Sequence, residues 1–353
     1  MPIYLYTGGL RIVKKSGVGQ AILHQRKALE TVDIQMDTRL SPSTAAVHIN
    51  TVFPDSVLMA IWARLHQVKV VYYAHSTMED FRCSFRGSNL MAAFFKKWII
   101  FCYRLGDVVL TPTEYAKGLL ESYGLQRPIY SISNGVDTHA FHPSAARRTA
   151  FRKKYRLSES EPVVISVGHM MERKGILDYI ALASQLPDVR FFWFGDTKPW
   201  LLPGHVRRVI KQAPPNLTFA GYIDQEQLKD AYCGADLFAF LSKEETEGIV
   251  VLEALASEIP VLIRDIPVYQ GWLTDGESVY KAATQNEFLR SMIEILAKKR
   301  PELSAGGRQA AERRSLEAVG NRLKEIYAAE KIDVHEGLYH LNRHLDNGAM
   351  IQK

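Results

Sequence analysis

Two glutamates separated by seven residues are the side chains of this sequence whose types and spacing best suit chemistry. Glu245 lies in a polar segment, and Glu253 follows inside the otherwise apolar stretch IVVLEALASE, where an unpartnered carboxylate would be costly. A carboxylate accepts paired hydrogen bonds, and the vicinal hydroxyls of a ribose or a hexose are natural donors for them. The pair therefore indicates a ligand with sugar hydroxyls, although two solvated charges are the simpler interpretation of the spacing alone.

A strand, a loop, a helix and a second strand surround the two glutamates. The apolar run 237–241 is too short for a buried helix and predicts a buried parallel strand. A helix is predicted to begin at Gly248 and to end before Pro260. Ligands of open α/β sheets bind at the loop that leaves the carboxyl end of such a strand. The N–H groups of Gly248, Ile249 and Val250 at the helix start suit a phosphate, so this unit predicts a ligand with a sugar, a diphosphate and a ribose.

The length and composition indicate a two-domain protein. At 353 residues the chain is long for one domain, and its 47% hydrophobic content supports two full-size cores. The three cysteines have no metal or redox spacing, which favours a reducing compartment. The start MPIYLYTGG does not resemble a signal peptide, and no run reaches the roughly 18 apolar residues of a membrane span. These features predict a cytoplasmic protein.

The net charge of +6 is concentrated in the first part of the chain. Residues 1–140 carry 15 Lys and Arg against 10 Asp and Glu, which leaves a net charge of +5. This excess indicates an anionic surface or substrate for the first domain, although a charge of this size could simply keep the domain soluble. No nucleic-acid-binding motif accompanies it, so nucleic acid is not a predicted partner.

Alternating apolar runs and helical stretches predict an α/β fold with two doubly wound domains. The first domain is predicted over 1–140 and is followed by a charged linker over 141–160. The second domain is predicted over 161–330, and a polar tail over 331–353 ends the chain.

Two segments of the first domain are candidates for donor binding. Gly17, Val18 and Gly19 lie in a Gly-rich loop that would let the backbone approach a phosphate, although a plain connecting loop has the same composition. His75 ends a predicted strand, at the edge of the sheet where ligands bind. A histidine in that place is equally explained as a satisfied polar residue.

Two further segments are candidates for acceptor and membrane contacts. Arg82 and Arg86 belong to a polar loop beyond the strand ends, where an acceptor would lie. Lys96, Lys97 and Trp98 belong to the predicted helix MAAFFKKWIIFCYR, whose aromatic and basic residues suit a membrane interface. A core helix with a charged outer edge would show the same pattern.

Two cations open the second domain. Arg173 and Lys174 stand just before a predicted helix, where the helix dipole disfavours positive charge. An anion-binding role is therefore favoured over a solvent-facing pair, and a cation pointing into the cleft would neutralise a diphosphate.

The glutamate pair followed by ALASEIPV, together with the turn NGVD at 134–137, resembles family 4 retaining glycosyltransferases of the GT-B fold. The resemblance covers about residues 1–330 and implies two Rossmann-like domains that face a central cleft. It implies that the tail, or the helix before it, crosses back to the first domain. It also implies that Glu245 holds donor hydroxyls, that Glu253 holds the ribose and that backbone near Tyr222 meets the base.

The same resemblance assigns the remaining contacts. A histidine in the position of His75 lies against the donor hexose. Lys174 matches the family lysine, but His169 occupies the position of the usual arginine, so the second positive contact is left open between His169, Arg173 and both together. The chain has no Asp-x-Asp pair, so a metal-independent UDP-sugar transferase without other cofactors is expected. Such enzymes need no protein nucleophile, and no general base is assigned.

Four segments resemble a narrower group, the bacterial enzymes that add a second hexose to monoglucosyl-diacylglycerol in building the anchor of lipoteichoic acid. The segments are KKSGVGQA, AHSTMEDFR, HMMERKG and EETEGIVVLEALA. They imply a UDP-galactose or UDP-glucose donor, a glycolipid acceptor and peripheral attachment to the anionic inner face of the cell membrane. Two alternatives stay open, namely transfer to a soluble or polyprenyl-linked oligosaccharide and a nucleotide-sugar epimerase of the same architecture.

Overall fold

The computed structural model describes residues 1–14, 16–37, 39–41 and 43–334, which form two six-stranded parallel sheets covered by helices. This arrangement confirms the predicted α/β fold with two doubly wound domains. The part of the predicted tail from 335 to 353 lies outside the described residues. Within the described ranges, no helix has the length and apolar character needed to cross a membrane.

The first domain alternates strands and helices from the start of the chain. Its strands are β1 (Ile3–Leu5), β2 (Met36–Asp37), β3 (Ala46–Ile49), β4 (Lys69–Tyr73), β5 (Val108–Thr111) and β6 (Ile129–Ser131). Its helices are α1 (Leu10–Val13), α2 (Gly17–Thr31), α3 (Pro54–Leu65), α4 (Met78–Phe81), α5 (Ser88–Arg104) and α6 (Glu114–Ser122).

The second domain repeats this alternation. Its strands are β7 (Val163–Val167), β8 (Arg190–Phe194), β9 (Leu217–Gly221), β10 (Leu237–Phe240), β11 (Val261–Arg264) and β12 (Tyr280–Ala282). The helices from α7 onward are α7 (Ala145–Tyr155), α8 (Ile176–Gln185), α9 (Gly204–Lys211), α10 (Gln225–Gly234), α11 (Ile249–Ala256), a 3-10 helix (Pro267–Tyr269), α12 (Gln285–Leu296), α13 (Ser304–Glu312) and α14 (Leu316–Ala329).

The order of the strands places a switch point in each sheet. The first sheet runs β2-β1-β3-β4-β5-β6, so the chain reverses direction between β1 and β3. The second runs β12-β11-β10-β7-β8-β9, so the reversal lies between β7 and β10. Ligands of such sheets bind outside the carboxyl ends of the strands at these points. The loops that follow β7 and β10 are therefore expected to line a site.

The stretch predicted as a linker contains a folded helix. Helix α7 packs against the second domain, and its Phe151 is buried in the same core as Phe192 and Phe238. Phe141, Phe151 and Leu157 are buried against the second domain. The many charged residues around them made this stretch look like a solvent-exposed linker. The second domain thus begins earlier than the predicted residue 161.

The last described helix returns to the first domain, as expected from the family resemblance. Helix α14 packs on α2 so closely that a Cβ at Gly320 would lie 2.3 Å from the carbonyl oxygen of Ala28. The two chain crossings run side by side, because Val136 N–H donates to Arg314 O at 3.0 Å and Leu316 N–H donates to Val136 O at 3.1 Å. Residues from 316 onward therefore pack with the first domain, and the predicted boundary at 330 is too late.

Candidate active site

The switch point of the second sheet brings together two predicted site residues. Lys174 lies in the loop between β7 and α8, and its Nζ is 2.5 Å from Oε1 of Glu245 in the loop between β10 and α11. Gly175 follows Lys174 with a φ of 78°, and a Cβ there would lie 2.3 Å from the carbonyl oxygen of Leu241. Only glycine allows this close approach, so it fixes Lys174 beside the end of β10.

Glu245 is a buried carboxylate that stays ionised. Burial by itself would raise the pKa of Glu245, but Lys174 and Arg173 outweigh that effect and hold the pKa below its usual value. Arg173 Nη1 lies 3.9 Å from the same carboxylate oxygen that Lys174 contacts. The arrangement keeps two cations and one anion at the carboxyl ends of the central strands.

Arg173 joins the two domains. Its Nη1 donates to the backbone oxygen of Glu244 at 2.6 Å in its own domain. Across the cleft, Nε donates to Ser84 Oγ at 3.0 Å, and Nη1 is 2.9 Å from Asp80 Oδ1. Burial raises the pKa of Asp80, and the charge of Arg173 opposes that shift. The polar loop predicted to face an acceptor thus meets the second domain through a buried arginine.

More contacts between strand-end loops surround this cluster. Thr113 Oγ1, after β5, donates to Thr246 O at 2.9 Å, and Tyr115 OH donates to Glu244 Oε2 at 3.2 Å. Burial raises the pKa of Glu244 to about 7. The loops at the carboxyl ends of the two sheets therefore face each other. We call this line of contacts between the two domains the seam, and it carries ionisable groups.

Glu247 connects this seam to the chain crossing and was not predicted as a site residue. Its Oε2 accepts hydrogen bonds from the backbone N–H and the side-chain amide of Asn134, at 2.9 and 2.8 Å. Gly135 follows with a φ of 77°. The sequence offered one signal, a third acidic residue in a loop that already held two, but nothing in its spacing pointed to Asn134.

Helix α11 begins at the site, but Glu253 lies deeper in the domain. Gly248 precedes the helix in a left-handed conformation with a φ of 93°, which leaves the N–H groups of Ile249 and Val250 in the first turn. Glu253 is only 1% exposed and accepts a hydrogen bond from Tyr232 OH at 3.0 Å. Burial raises the pKa of Glu253 to about 7, so the carboxyl group is protonated below that pH.

The segment predicted to meet the base lies between β9 and α10. Tyr222 is exposed there, directly after Gly221. A hydrogen bond from Gln225, in the first turn of α10, favours the ionised form of Glu253 and links this segment to that carboxylate. The segment that follows Tyr222 therefore contacts Glu253 of α11 through Gln225.

His75 is held inside the first domain as a neutral ring. Its Nε2 is 2.9 Å from Asn50 Oδ1, and Asn50 Nδ2 donates to Gln25 Oε1 at 2.8 Å. Burial lowers the pKa of His75 to about 3, so the ring is uncharged at neutral pH. Because Asn50 presents an oxygen, the neutral ring donates from Nε2 and keeps Nδ1 as an acceptor.

The predicted Gly-rich loop forms the start of α2. Helix α2 begins at Gly17, with Ser16 as its N-cap and Val18 in its first turn. A Cβ at Gly19 would lie 2.4 Å from the carbonyl oxygen of Val13. The glycine at 19 thus serves the close packing of the preceding segment on the helix, and its predicted contact to a donor stays a prediction.

His169 and Arg173 lie in the same loop but make different contacts. His169 Nδ1 is 2.8 Å from the backbone oxygen of Asp196, and burial lowers the pKa of the ring. Lowering the pKa favours the neutral imidazole at neutral pH. Arg173 is therefore the residue of the two that carries a positive charge beside Lys174 and Glu245.

The predicted acceptor and membrane residues separate into two groups. Arg82, Arg86 and Lys97 are exposed. In contrast, Lys96 Nζ lies 4.0 Å from the centre of the Tyr123 ring, and Trp98 Nε1 donates to Val52 O at 2.8 Å. These two side chains face the body of the domain, so of the three residues predicted at a membrane interface only Lys97 is exposed.

The outside of the first domain carries a different set of exposed apolar residues. Helices α3 and α5 each expose several apolar residues at helical spacing beside their exposed polar ones, while the opposite faces of both helices share one buried core. We call this set the first-domain apolar surface. Its members are Leu58, Ile61, Trp62 and Leu65 of α3, and Leu90, Met91, Phe94 and Phe101 of α5.

Comparisons with known proteins agree with this geometry. The model described as Glycosyltransferase Family 4 matches residues 44–140, and the model described as Glycosyl transferases group 1 matches residues 147–314. A processive diacylglycerol alpha-glucosyltransferase of Acholeplasma laidlawii is 38% identical over 328 residues, which cover 93% of this chain and 98% of that protein. An alpha-galactosylglucosyldiacylglycerol synthase of Streptococcus pneumoniae is 27% identical over 64% of this chain and 60% of its own.

A solved structure supports the fold. The protein HepE of Anabaena, crystallised with UDP and glucose, superposes with a TM-score of 0.73 at 15% sequence identity. The match covers 93% of this chain and 99% of HepE. At this identity the likeness concerns the arrangement of the two domains.

Proposed function

The chain belongs to glycosyltransferase family 4, and from this premise we propose that it moves glucose or galactose from a UDP-sugar onto monoglucosyl-diacylglycerol with retention at the anomeric carbon. The observation that carries the proposal is the cluster of Lys174, Arg173 and Glu245 at the start of α11. Two relatives described above, both named for the synthesis of glycosyl-diacylglycerols, support the lipid acceptor.

The donor would be held around Gly248 by two kinds of group, namely positively charged or N–H groups for its diphosphate and carboxylates for its sugar hydroxyls. Lys174, Arg173 and the first N–H groups of α11 would stabilise the diphosphate, whose negative charge grows as the glycosidic bond to it breaks. Glu245 would accept hydrogen bonds from the hexose hydroxyls. Glu253 and the segment around Tyr222 would hold the ribose and the base. Because these cations can neutralise the diphosphate, we propose that transfer needs no metal ion.

The acceptor would approach from the first domain. The leaving phosphate would take the proton of the acceptor hydroxyl on the face from which it departs, so the mechanism asks for no protein base. His75 remains neutral and would orient the donor hexose through hydrogen bonding. The exposed Arg82 and Arg86 would lie on the acceptor side of the seam.

The first-domain apolar surface would attach the enzyme to the bilayer. Contiguous exposed apolar residues on a soluble domain mark an interaction site. Exposed cations accompany them, with Lys97 and Arg104 on α5 and Arg64 on α3. Apolar residues beside cations fit the headgroup region of an anionic membrane, which also holds the lipid acceptor. The proposed location is thus a peripheral one.

The proposal is tested by the release of UDP. Purified protein is mixed with UDP-glucose or UDP-galactose, and free UDP is measured with and without vesicles that contain monoglucosyl-diacylglycerol. We expect UDP release only with the glycolipid, together with an α-linked dihexosyl product. Equal release of UDP with a water-soluble oligosaccharide would show that the acceptor need not be a lipid, and it would contradict that part of the proposal. Conversion of the donor without UDP release would indicate an epimerase and contradict the proposal.

A further inference from the structure

The second domain carries an exposed apolar tip of its own. In the loop between β8 and α9, Trp200 is 67% exposed and its neighbour Leu201 is 38% exposed. Lys198 Nζ lies 5.1 Å from the centre of the Trp200 ring. We call residues 198–201 the second-domain tip. Neither the donor site nor the chain crossing uses these side chains.

The second-domain tip lies beside the start of the first-domain apolar surface. The backbone N–H of Arg86 donates to Leu201 O at 3.0 Å across the seam between the domains. Helix α5 begins two residues after Arg86, and its first exposed apolar residues are Leu90, at 91%, and Met91. This hydrogen bond therefore holds the second-domain tip close to the start of the first-domain apolar surface.

A basic helix follows the tip. Helix α9 begins at Gly204, buries Val206 and exposes Arg207, Arg208 and Lys211. Residues 196–212 hold four Lys and Arg against one Asp. A tryptophan and a leucine followed by an exposed basic helix combine apolar burial with attraction to anionic headgroups.

We propose that the second-domain tip and α9 form a second membrane contact, so that both domains rest on the same anionic bilayer. This inference rests on the proposed function, because it extends the membrane surface assigned there to the first domain. Two features favour a bilayer as the occupant: the excess of positive charge and the continuity with the first-domain apolar surface. The seam between Arg86 and Leu201 then opens toward the lipid from which a glycolipid acceptor enters.

The test uses the full chain and vesicles of phosphatidylcholine and phosphatidylglycerol. Replacing both apolar residues of the tip, Trp200→Ser with Leu201→Ser, should weaken vesicle binding about tenfold at every salt concentration. The pair Arg207→Gln and Arg208→Gln should weaken binding at low salt only, because screening already removes their effect at high salt. The matched control is Ile293→Ser, an exposed apolar residue on α12 of the same domain.

The outcomes separate this inference from the proposed function. If wild-type protein binds vesicles and the tip variant binds equally well, the second contact is refuted while the first-domain surface stands. If wild-type protein does not bind, the membrane part of the proposed function fails with it. Equal weakening by Ile293→Ser, or a wild-type dimer that the tip substitutions dissociate, would also overturn the inference.

A second measurement applies even if the tip variant folds poorly. Lipids brominated in their acyl chains quench tryptophan fluorescence on contact, and Trp200→Phe keeps an aromatic ring in place. We expect wild-type protein to be quenched more strongly than the Trp200→Phe variant. Identical quenching of the two proteins would show that Trp200 does not reach the bilayer.

Discussion

Replacing Lys174 by methionine should separate the structural and the functional use of one ion pair. Lys174 and Glu245 contact each other at 2.5 Å, with side chains only 16% and 6% exposed. Methionine keeps most of the volume of lysine and removes its charge. The change leaves a buried carboxylate whose nearest remaining cation is Arg173, at 3.9 Å.

The expected loss of stability is large. Removing one partner of a buried ion pair costs roughly 3–5 kcal/mol, because the other charge stays buried without compensation. The remaining Arg173 places the estimate at the lower end, about 3 kcal/mol. The double variant Lys174→Met with Glu245→Gln removes both charges, so it should regain most of this free energy of unfolding. It should still lack hexose transfer, since the proposed contacts to diphosphate and hexose are both gone.

The assay is urea unfolding at several pH values, with transfer rates measured on the same samples. Burial would raise the pKa of Glu245, but Lys174 and Arg173 hold it below the usual value, so the ion pair contributes fully above about pH 4.3 and is lost as pH falls through the folded-state pKa. In the Lys174→Met variant burial dominates, and the penalty should shrink toward acid pH as Glu245 takes a proton. A Lys174→Met variant as stable as wild type, or a double variant with normal transfer, would contradict this prediction.

Four further outcomes are expected. Burial raises the pKa of Glu253 to about 7, so wild type should lose up to roughly 3 kcal/mol of stability between about pH 4.3 and 7; calorimetry should show a flatter profile for Glu253→Gln. Glu247→Ala should lower the free energy of unfolding by about 1–3 kcal/mol because Asn134 N–H loses its acceptor, and Glu247→Gln should retain most of it in the same urea titration. Phe94→Ser should weaken vesicle sedimentation at low and high salt alike, whereas Lys97→Gln should weaken it at low salt only. Transfer should survive a chelator, and a complete loss restored by magnesium would contradict the proposed metal independence.

The fold was predictable because buried parallel strands are short apolar runs. The runs that became β4, β5, β7 and β10 are buried along almost their whole length, which is why the strands and their order of appearance could be read from the sequence. The contact between Lys174 and Glu245 has a related cause. Each residue lies in the loop that follows such a strand, and loops at a switch point lie close together.

Contacts across the cleft were not predictable from local patterns. Arg173 pairs with Asp80, which lies 93 positions earlier in the chain, and no spacing rule links them. Helix orientation failed for a different reason. Helices α3 and α5 are apolar on more than one side, so periodicity could not tell which aromatic residues face the core, and Trp98, predicted at a membrane interface, packs against the core.

The charged groups on the two sides of the cleft balance each other, which favours contact between the two domains. Among the described groups of this cluster, Arg173, Lys174 and Glu245 of the second domain sum to one positive charge, and Asp80 of the first domain supplies the matching negative charge. Moving the domains apart would leave the nearly buried Arg173 without its contacts to Asp80 and Ser84. A buried charge without a partner costs several kcal/mol, similar to the loss expected for Lys174→Met, unless water or another anion takes over its contacts. A diphosphate is such an anion, so we propose that the charge of the donor and the spacing of the two domains are coupled through Arg173.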